Sequence, residues 1–413
     1  EENVLLLVFT SPLRAIAEVE PEEGIPAYHY IRKCRSDFTS YLGARPHAVK
    51  VGVFGDVVLD VPDRAWLEDV TIRSELAEDY SHARVRVRVA VGEEAQDPDR
   101  HLDLALSLTD PKGSPMLTSV VALDEAFAEE GALLKVEDPL LWWPRTHGTP
   151  NLYRLTVDLQ SGGERLDRHT MAFGIRQVVP VLQDPETGED RFAFEINGRR
   201  IFLRGACWAP LQGMTHCWDD EQAGRLLDLV EHGQMNVLRV WGGGSMPPDG
   251  FYEACDRRGI LIWQDFMFGY GMYPDDDSDF VGACRTEIAS IVRRLRNHPS
   301  LMLWCGGNEN HMGWDFNFGE EPTTGRTLFE EVMPGICGRL DPDRLFHPSS
   351  PYGGPVPNWP LKGDWHDYTT LTFSPRSSVP LFASEIGRVS APSLTNMRRF
   401  MNDEDLWPEG HDP

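Results

Sequence analysis

Leu301-Met302-Leu303-Trp304-Cys305-Gly306-Gly307-Asn308-Glu309-Asn310 is the stretch on which the reading of this chain turns. Residues 301–304 form an apolar run of strand length, preceded by Asn297-His298-Pro299-Ser300, a helix end and a turn. A short run with no polar alternation suits a strand covered on both faces, as in a parallel sheet. Two glycines then release the backbone, and Glu309 follows between two asparagines. In a parallel α/β barrel, chemistry is placed at the C-terminal ends of the strands. Glu309 is therefore the first candidate, either as a catalytic acid or as a polar turn.

The same unit recurs on both sides. From about residue 179, strands alternate with helices, which predicts parallel βα units. Strands are expected at 201–206, 236–241, 260–265, 301–304 and 345–348, with two more strand ends at 363–368 and 381–385. Helices are expected at 219–232, with Asp219 as N-cap, at 248–258, closed by Gly259, at 281–296 and at 325–339. That is about seven units, one short of a closed (β/α)8 TIM barrel, so residues 179–413 read as a barrel lacking its last unit.

Before residue 179 the pattern is strands alone. Arg84-Val85-Arg86-Val87-Arg88-Val89 alternates charge and valine, the mark of a strand with one wet face. Residues 102–108 and 151–157 alternate likewise. Asp110-Pro111-Lys112-Gly113 and Ser161-Gly162-Gly163 supply turns. Residues 61–178 thus read as an immunoglobulin-like β-sandwich without helices. Residues 1–60 carry further strand-like runs, 4–9, 49–54 and 57–59, and read as the C-terminal part of another β-sandwich. Trp142-Trp143-Pro144 is either a sugar-stacking platform or interdomain packing.

Composition narrows the partners. The 65 acidic against 39 basic residues give a formal charge of −26, and no Lys/Arg-rich run argues for nucleic acid. No run of 18 apolar residues predicts a membrane helix. The seven cysteines form no C-x-x-C pair and read as buried free thiols, which favours a reducing compartment such as the cytoplasm. The first residues include no Met and open inside a strand-like run. Gly52-x-x-Gly55 lacks the Lys-Ser/Thr of a phosphate loop. Asp275-Asp276-Asp277-Ser278-Asp279 lacks the glycine and the closing glutamate of a calcium loop. His216, His298, His311 and His366 show no metal-ligand spacing.

Glu385 ends the apolar run Pro380-Leu381-Phe382-Ala383-Ser384 as Glu309 ends its own. On a barrel, the fourth and seventh strand ends face one cleft. Two carboxyl groups across a cleft are what glycosidic cleavage needs, one to protonate the leaving oxygen and one to attack the anomeric carbon. Trp241, Trp263, Trp304 and Trp365 lie at or near strand ends, where indoles fill a core or stack on sugars. Trp241, before three glycines, is the better cleft candidate, and Trp304 the better core candidate. Asp265 either binds hydroxyls or holds an arginine. Arg204 and Arg239, on the first two strands, predict a buried arginine–carboxylate network under the site.

Five stretches together resemble glycoside hydrolase family 2, and within it the β-mannosidase branch. They are residues 194–206, 236–244 and 260–268, then Trp304-Cys305-Gly306-Gly307-Asn308-Glu309-Asn310 and Phe382-Ala383-Ser384-Glu385-Ile386-Gly387. The resemblance implies a retaining exo-β-glycosidase acting on terminal β-linked sugars, β-D-mannosides first, with no metal and no cofactor. Glu309 would be the acid/base and Glu385 the nucleophile. Asn308 would bond the sugar 2-hydroxyl or the nucleophile, and Trp241 would line the sugar subsite. Asp265, Trp365 and His366 complete the expected substrate-binding set. The resemblance also implies the domain order of jelly-roll, immunoglobulin-like sandwich and barrel. Two departures touch the subsite: Ser40-Tyr41-Leu42-Gly43 stands where the family carries Trp-Asp-Trp-Gly, and Tyr368 where its strand-6 motif ends in Trp. Another β-glycosidase specificity (β-glucosaminidase or β-galactosidase) and a non-catalytic carbohydrate-binding relative are the alternatives.

Overall fold

The computed structural model describes residues 4–11, 14, 52–53, 57–59, 61, 65–93, 101–211, 218–269, 271, 273–314, 325–367, 379–387 and 391–406. Most of the sandwich expected at 1–60, including Ser40–Gly43 and Gly55, lies outside them. The apolar run at 4–9 belongs to no named strand, and its side chains are exposed.

Seven strands follow: β1 (Ala65–Leu76), β2 (His82–Glu93), β3 (Asp103–Thr109), β4 (Pro115–Ala122), β5 (Ala132–Glu137), β6 (Tyr153–Ser161) and β7 (Glu164–Phe173). They form two antiparallel sheets, β1-β2-β5 and β4-β3-β6-β7. The alternation read from the sequence sets their faces: Val85 and Val87 are fully buried while Arg84 and Arg88 are exposed. Leu104, Leu106, Leu155, Val157 and Leu159 meet them in one core. Gly162 and Gly163 both take positive φ (57° and 85°), as a two-residue hairpin between β6 and β7 requires. One helix interrupts this unit, contrary to expectation: α1 (Glu125–Glu130), capped by Asp124, which accepts from the Phe127 amide. The Tyr153 hydroxyl accepts from the Leu140 amide at 2.8 Å and ties the start of β6 to the preceding loop.

The next segment corrects the sequence reading. The strand expected at 201–206 is two elements. Val178–Gln183 (β8), Asp190–Ile196 (β9) and Arg199–Ile201 (β10) make an antiparallel sheet of their own. Asn197 and Gly198, both at positive φ (50° and 72°), turn β10 back onto β9. The first parallel strand starts only after that hairpin, at β11 (Gly205–Trp208).

From there, β12 (Val237–Val240), β13 (Leu261–Asp265), β14 (Leu301–Cys305) and β15 (Leu345–His347) add in chain order to one parallel sheet. The crossovers carry α2 (Asp220–His232), α3 (Asp249–Arg258) and α4 (Ser278–Leu295), then a π-helical turn (Leu328–Val332) that runs into a further helix at Met333–Leu340. Asp219 caps α2, Asp277 of the acidic loop caps α4, and Gly259 closes α3 in the left-handed conformation at φ 66°. A second parallel pair, β16 (Trp365–Asp367) and β17 (Ala383–Ile386), completes the described strands. Among the described residues these strands do not close into a barrel. No helix there is long and apolar enough to cross a membrane.

The parallel strands are buried on both faces, as their apolar runs predict. Leu238, Val240, Ile262, Leu301 and Trp304 pack under the helices. Val237, Leu261, Trp263, Leu303 and Cys305 pack against Phe192, Phe194 and Ile196 of β9. Trp142 joins this second core fully buried and donates from Nε1 to the Asp256 carbonyl at 2.9 Å, so it welds the sandwich to the α/β part. Among the described cysteines, four of five are buried; Cys207 is exposed.

Candidate active site

Residues from six strand ends converge: Arg239 on β12, Asp265 on β13, Asn308 and Glu309 beyond β14, Ser350 beyond β15, His366 on β16 and Glu385 on β17. Gly306 and Gly307 allow this for a reason other than flexibility. A Cβ on Gly306 would lie 2.1 Å from the Pro348 carbonyl, and one on Gly307 2.5 Å from that of Phe268. Side chains there would hold the neighbouring strand ends apart. Glu309 itself adopts φ 56°, uncommon without glycine, with its amide donating to the Ser350 carbonyl at 2.7 Å. It starts the short helix α5 (Asn310–Gly313).

Arg239 organises the floor. Its Nη2 donates to Asp265 Oδ2 at 2.8 Å and to Asn308 Oδ1 at 2.9 Å, and its Nη1 donates to Glu385 Oε2 at 3.0 Å. Burial alone would lower the Arg239 pKa, but the charges of Asp265 and Glu385 outweigh it and hold the guanidinium firmly protonated. Of the two roles expected for Asp265, the geometry is that of the arginine holder. Its carboxylate is fully buried and also accepts from Trp263 Nε1 at 2.9 Å and from the Gly242 amide at 3.0 Å. Arg204 is not in this network; it is exposed and donates to the Gln234 carbonyl.

His366 stands opposite Glu385 in the β16–β17 register. Its Nδ1 lies 2.9 Å from Glu309 Oε1 and 3.7 Å from Glu385 Oε2. Asn308 Nδ2 donates to Glu309 Oε2 at 3.3 Å. Glu309, His366 and Glu385 each bring one ligand-type atom within 4.8 Å of the others. Three such atoms can meet a cation; the Arg239 guanidinium, which lies 3.3 Å from His366 Nε2 and 3.0 Å from Glu385 Oε2, already sets one positive charge beside the cluster.

Trp241 lies just past β12, 8 % exposed, with its ring over Gly243. Trp365 is half-buried at the start of β16, where the pairing with β17 is irregular between Trp365 and His366. Trp304 is core: it stacks on Phe266 and donates to Asp341 at 2.8 Å. Tyr368 and His216 lie outside the described residues. The sequence reading missed Ser350, His347 and the role of Asp364. Applying the strand-end rule to β15, whose exit reads His347-Pro348-Ser349-Ser350, would have found two of them.

Residues 65–176 match the model of glycosyl hydrolases family 2. The chain is 30% identical to Beta-mannosidase B of Aspergillus terreus over 409 residues, covering 94% of this chain and 47% of that protein. It is 29% identical to Beta-mannosidase B of Aspergillus flavus, over 99% of this chain and 51% of the relative. The crystal structure of Beta-D-Mannosidase from Dictyoglomus thermophilum superposes with a TM-score of 0.74 at 32% identity, covering 84% of this chain and 43% of that one. The chain spans about half the length of the curated relatives it matches. Its resemblance is thus to the glycoside hydrolases of family 2. Within that family its likeness is to β-mannosidases.

Proposed function

We propose that this chain carries the catalytic pair of a retaining β-glycosidase whose substrates are terminal β-linked sugars, β-D-mannosides first. The carrying observation is the approach of Glu309 and Glu385, which bring carboxylate oxygens within 4.8 Å of each other. Retaining enzymes hold their carboxyl groups ~5–5.5 Å apart, and inverting ones ~6.5–9.5 Å apart to admit a water. In this reading Glu385 attacks the anomeric carbon and Glu309 protonates the leaving oxygen. The glycosyl-enzyme is then hydrolysed by a water that Glu309 deprotonates. Arg239 aims the attacking carboxylate with a charge-assisted hydrogen bond. Asn308, tied to both Arg239 and Glu309, is set between the two glutamates to meet the sugar 2-hydroxyl. Trp241, Trp365 and His366 complete the sugar site.

The sequential order of the five parallel strands is the order a (β/α)8 barrel uses, and we read the α/β part as such a barrel. The two antiparallel sheets are read as an immunoglobulin-like sandwich, and residues 1–60 as part of a jelly-roll. The likeness to β-mannosidases supports mannose as the first sugar to test. A panel of p-nitrophenyl β-glycosides on the full chain tests the activity, with the mannoside expected to be hydrolysed fastest. Full hydrolysis by Glu385→Ala would refute the assigned nucleophile.

A further inference from the structure

Beneath the two glutamates lies a buried polar cluster that the reaction scheme above leaves unused. Asp364, directly before β16, is fully buried. Its Oδ1 accepts from His347 Nε2 at 2.6 Å and from the Tyr352 amide at 2.9 Å. Its Oδ2 accepts from the Ser350 hydroxyl at 2.6 Å and from the Ser384 hydroxyl. We propose that Asp364 is the positioning residue of this site: through Ser350 it orients the His366 imidazole against Glu309, and through Ser384 it anchors the strand end that carries Glu385. The inference rests on these two glutamates being the working pair.

The argument is one of proton counting. Burial pushes the Asp364 carboxyl up, but the charge and hydrogen bond of His347, with the charge of His366 and the hydrogen bond from Ser350, more than reverse this and keep it ionised. An ionised carboxylate only accepts, and each hydroxyl has one proton to give. The Ser350 hydroxyl also lies 3.2 Å from that of Ser384, but its bond to the Asp364 carboxylate is shorter, at 2.6 Å, and charge-assisted; Ser350 therefore spends its proton on Asp364 and faces His366 Nε2, 3.1 Å away, as an acceptor. The imidazole then presents Nε2–H to Ser350, and its Nδ1 shares one proton with Glu309 Oε1. One of the two positions of that proton is the carboxylic acid that a proton donor needs.

Arg239 acts in the opposite sense. Its Nη1 lies 3.3 Å from His366 Nε2 and can only donate, which would favour the tautomer protonated on Nδ1. The Ser350 contact is shorter, and Nη1 is already engaged with Glu385 at 3.0 Å. Among the described residues Glu385 Oε2 also faces the ring, 3.7 Å from Nδ1, and the Asp364 carboxylate acts on it through its charge. Asn358 fixes the His366 backbone from both sides, accepting from its amide and donating to its carbonyl. On the other arm, Ser384 immediately precedes Glu385 on β17, so the bond from its hydroxyl to Asp364 joins β17 to β16 below the nucleophile.

The test compares Ser350→Ala and Asp364→Asn with the unaltered full chain. The first readout is the ring 15N signals of labelled histidine at neutral pH, with His366 assigned from a His366→Gln spectrum. The second is the pH dependence of kcat and KM on p-nitrophenyl β-D-mannoside. The expected result is Nε2–H in the unaltered chain and Nδ1–H in Ser350→Ala. The basic limb of kcat/KM should move down by about one pH unit, a tenfold weaker hold on the shared proton. KM should change by no more than about twofold, since the effect is on chemistry. Ser350→Ala leaves Asp364 its bonds to His347, Tyr352 and Ser384, so it serves alone if Asp364→Asn does not fold. A folded Ser350→Ala with the unaltered tautomer and pH profile overturns the proposal. The imidazole signals need no turnover. An unaltered chain that hydrolyses no β-glycoside would thus overturn the catalytic reading of the pair, while those signals still decide this one.

Discussion

Arg239 Nη1 donates to Glu385 Oε2 at 3.0 Å, joining residues 146 positions apart in the chain. The same guanidinium holds Asp265 and Asn308, so one cation fixes the nucleophile candidate, the neighbour of the acid candidate and the floor between them. Arg239→Lys cannot reproduce that fork, because an ammonium is a point charge. Removing one partner of a buried ion pair costs about 3–5 kcal/mol. We expect Arg239→Ala to lose stability of that order in urea unfolding. Arg239→Lys should keep more stability but lose most of kcat.

Glu309 and Glu385 differ in what their removal should do. Glu309→Ala keeps the nucleophile, so an aryl β-glycoside with a good leaving group still forms the glycosyl-enzyme, which then hydrolyses slowly. The expected signs are a burst of aryl alcohol, a lowered KM and partial recovery with azide as an external nucleophile. Glu385→Ala should show no burst. Equal losses without a burst in both variants would contradict the assigned roles.

Trp142 separates packing from sugar binding. It is fully buried, bonds the Asp256 carbonyl and packs against the second core. Truncating a buried Trp to Ala costs about 3–5 kcal/mol. Trp142→Ala should lower the unfolding midpoint accordingly and leave KM for a small aryl glycoside unchanged. A raised KM with unchanged stability would favour the platform reading.

His311, on α5 beside Glu309, gives the fold a pH dependence. Burial, and after it the charges of Arg326 and His347, pull its pKa from 6.5 down to about 3. The unfolded chain takes up this proton below its ordinary pKa of ~6.5, and the folded chain does not until about pH 3. The stabilisation is therefore complete above about pH 6.5 and is lost as pH falls through that window toward 3. Denaturant midpoints measured from pH 7 to pH 4 should fall less steeply in His311→Gln than in the unaltered chain. Parallel slopes would exclude His311 as a source.

How much of this was legible in the sequence follows from the range of each interaction. The alternation of Arg84 to Val89 and the apolar run before Glu309 are local patterns, and they place the strands β2 and β14 correctly. The strand-end rule also picked out Glu309, Asp265 and Glu385, and the family resemblance added Asn308 and His366; the structure brings these five together. It misjudged residues 201–206, because the Asn197-Gly198 turn was overlooked and its hairpin claims Ile201 for β10.

The sequence by itself determined which residues stand at strand ends, because side-chain period and turn chemistry are written within a few positions. Only the tertiary structure decided their partners. Arg239 was expected to seek a carboxylate, but its choice of both Asp265 and Glu385 depends on strands meeting across 26 and 146 positions. Asp364 is one polar residue in a loop until His347, Ser350 and Ser384 close around it. Glu309 was singled out first as a carboxylate after two glycines. Packing makes those glycines a close approach of strand ends and sets His366 against the acid, which no spacing in the sequence encodes.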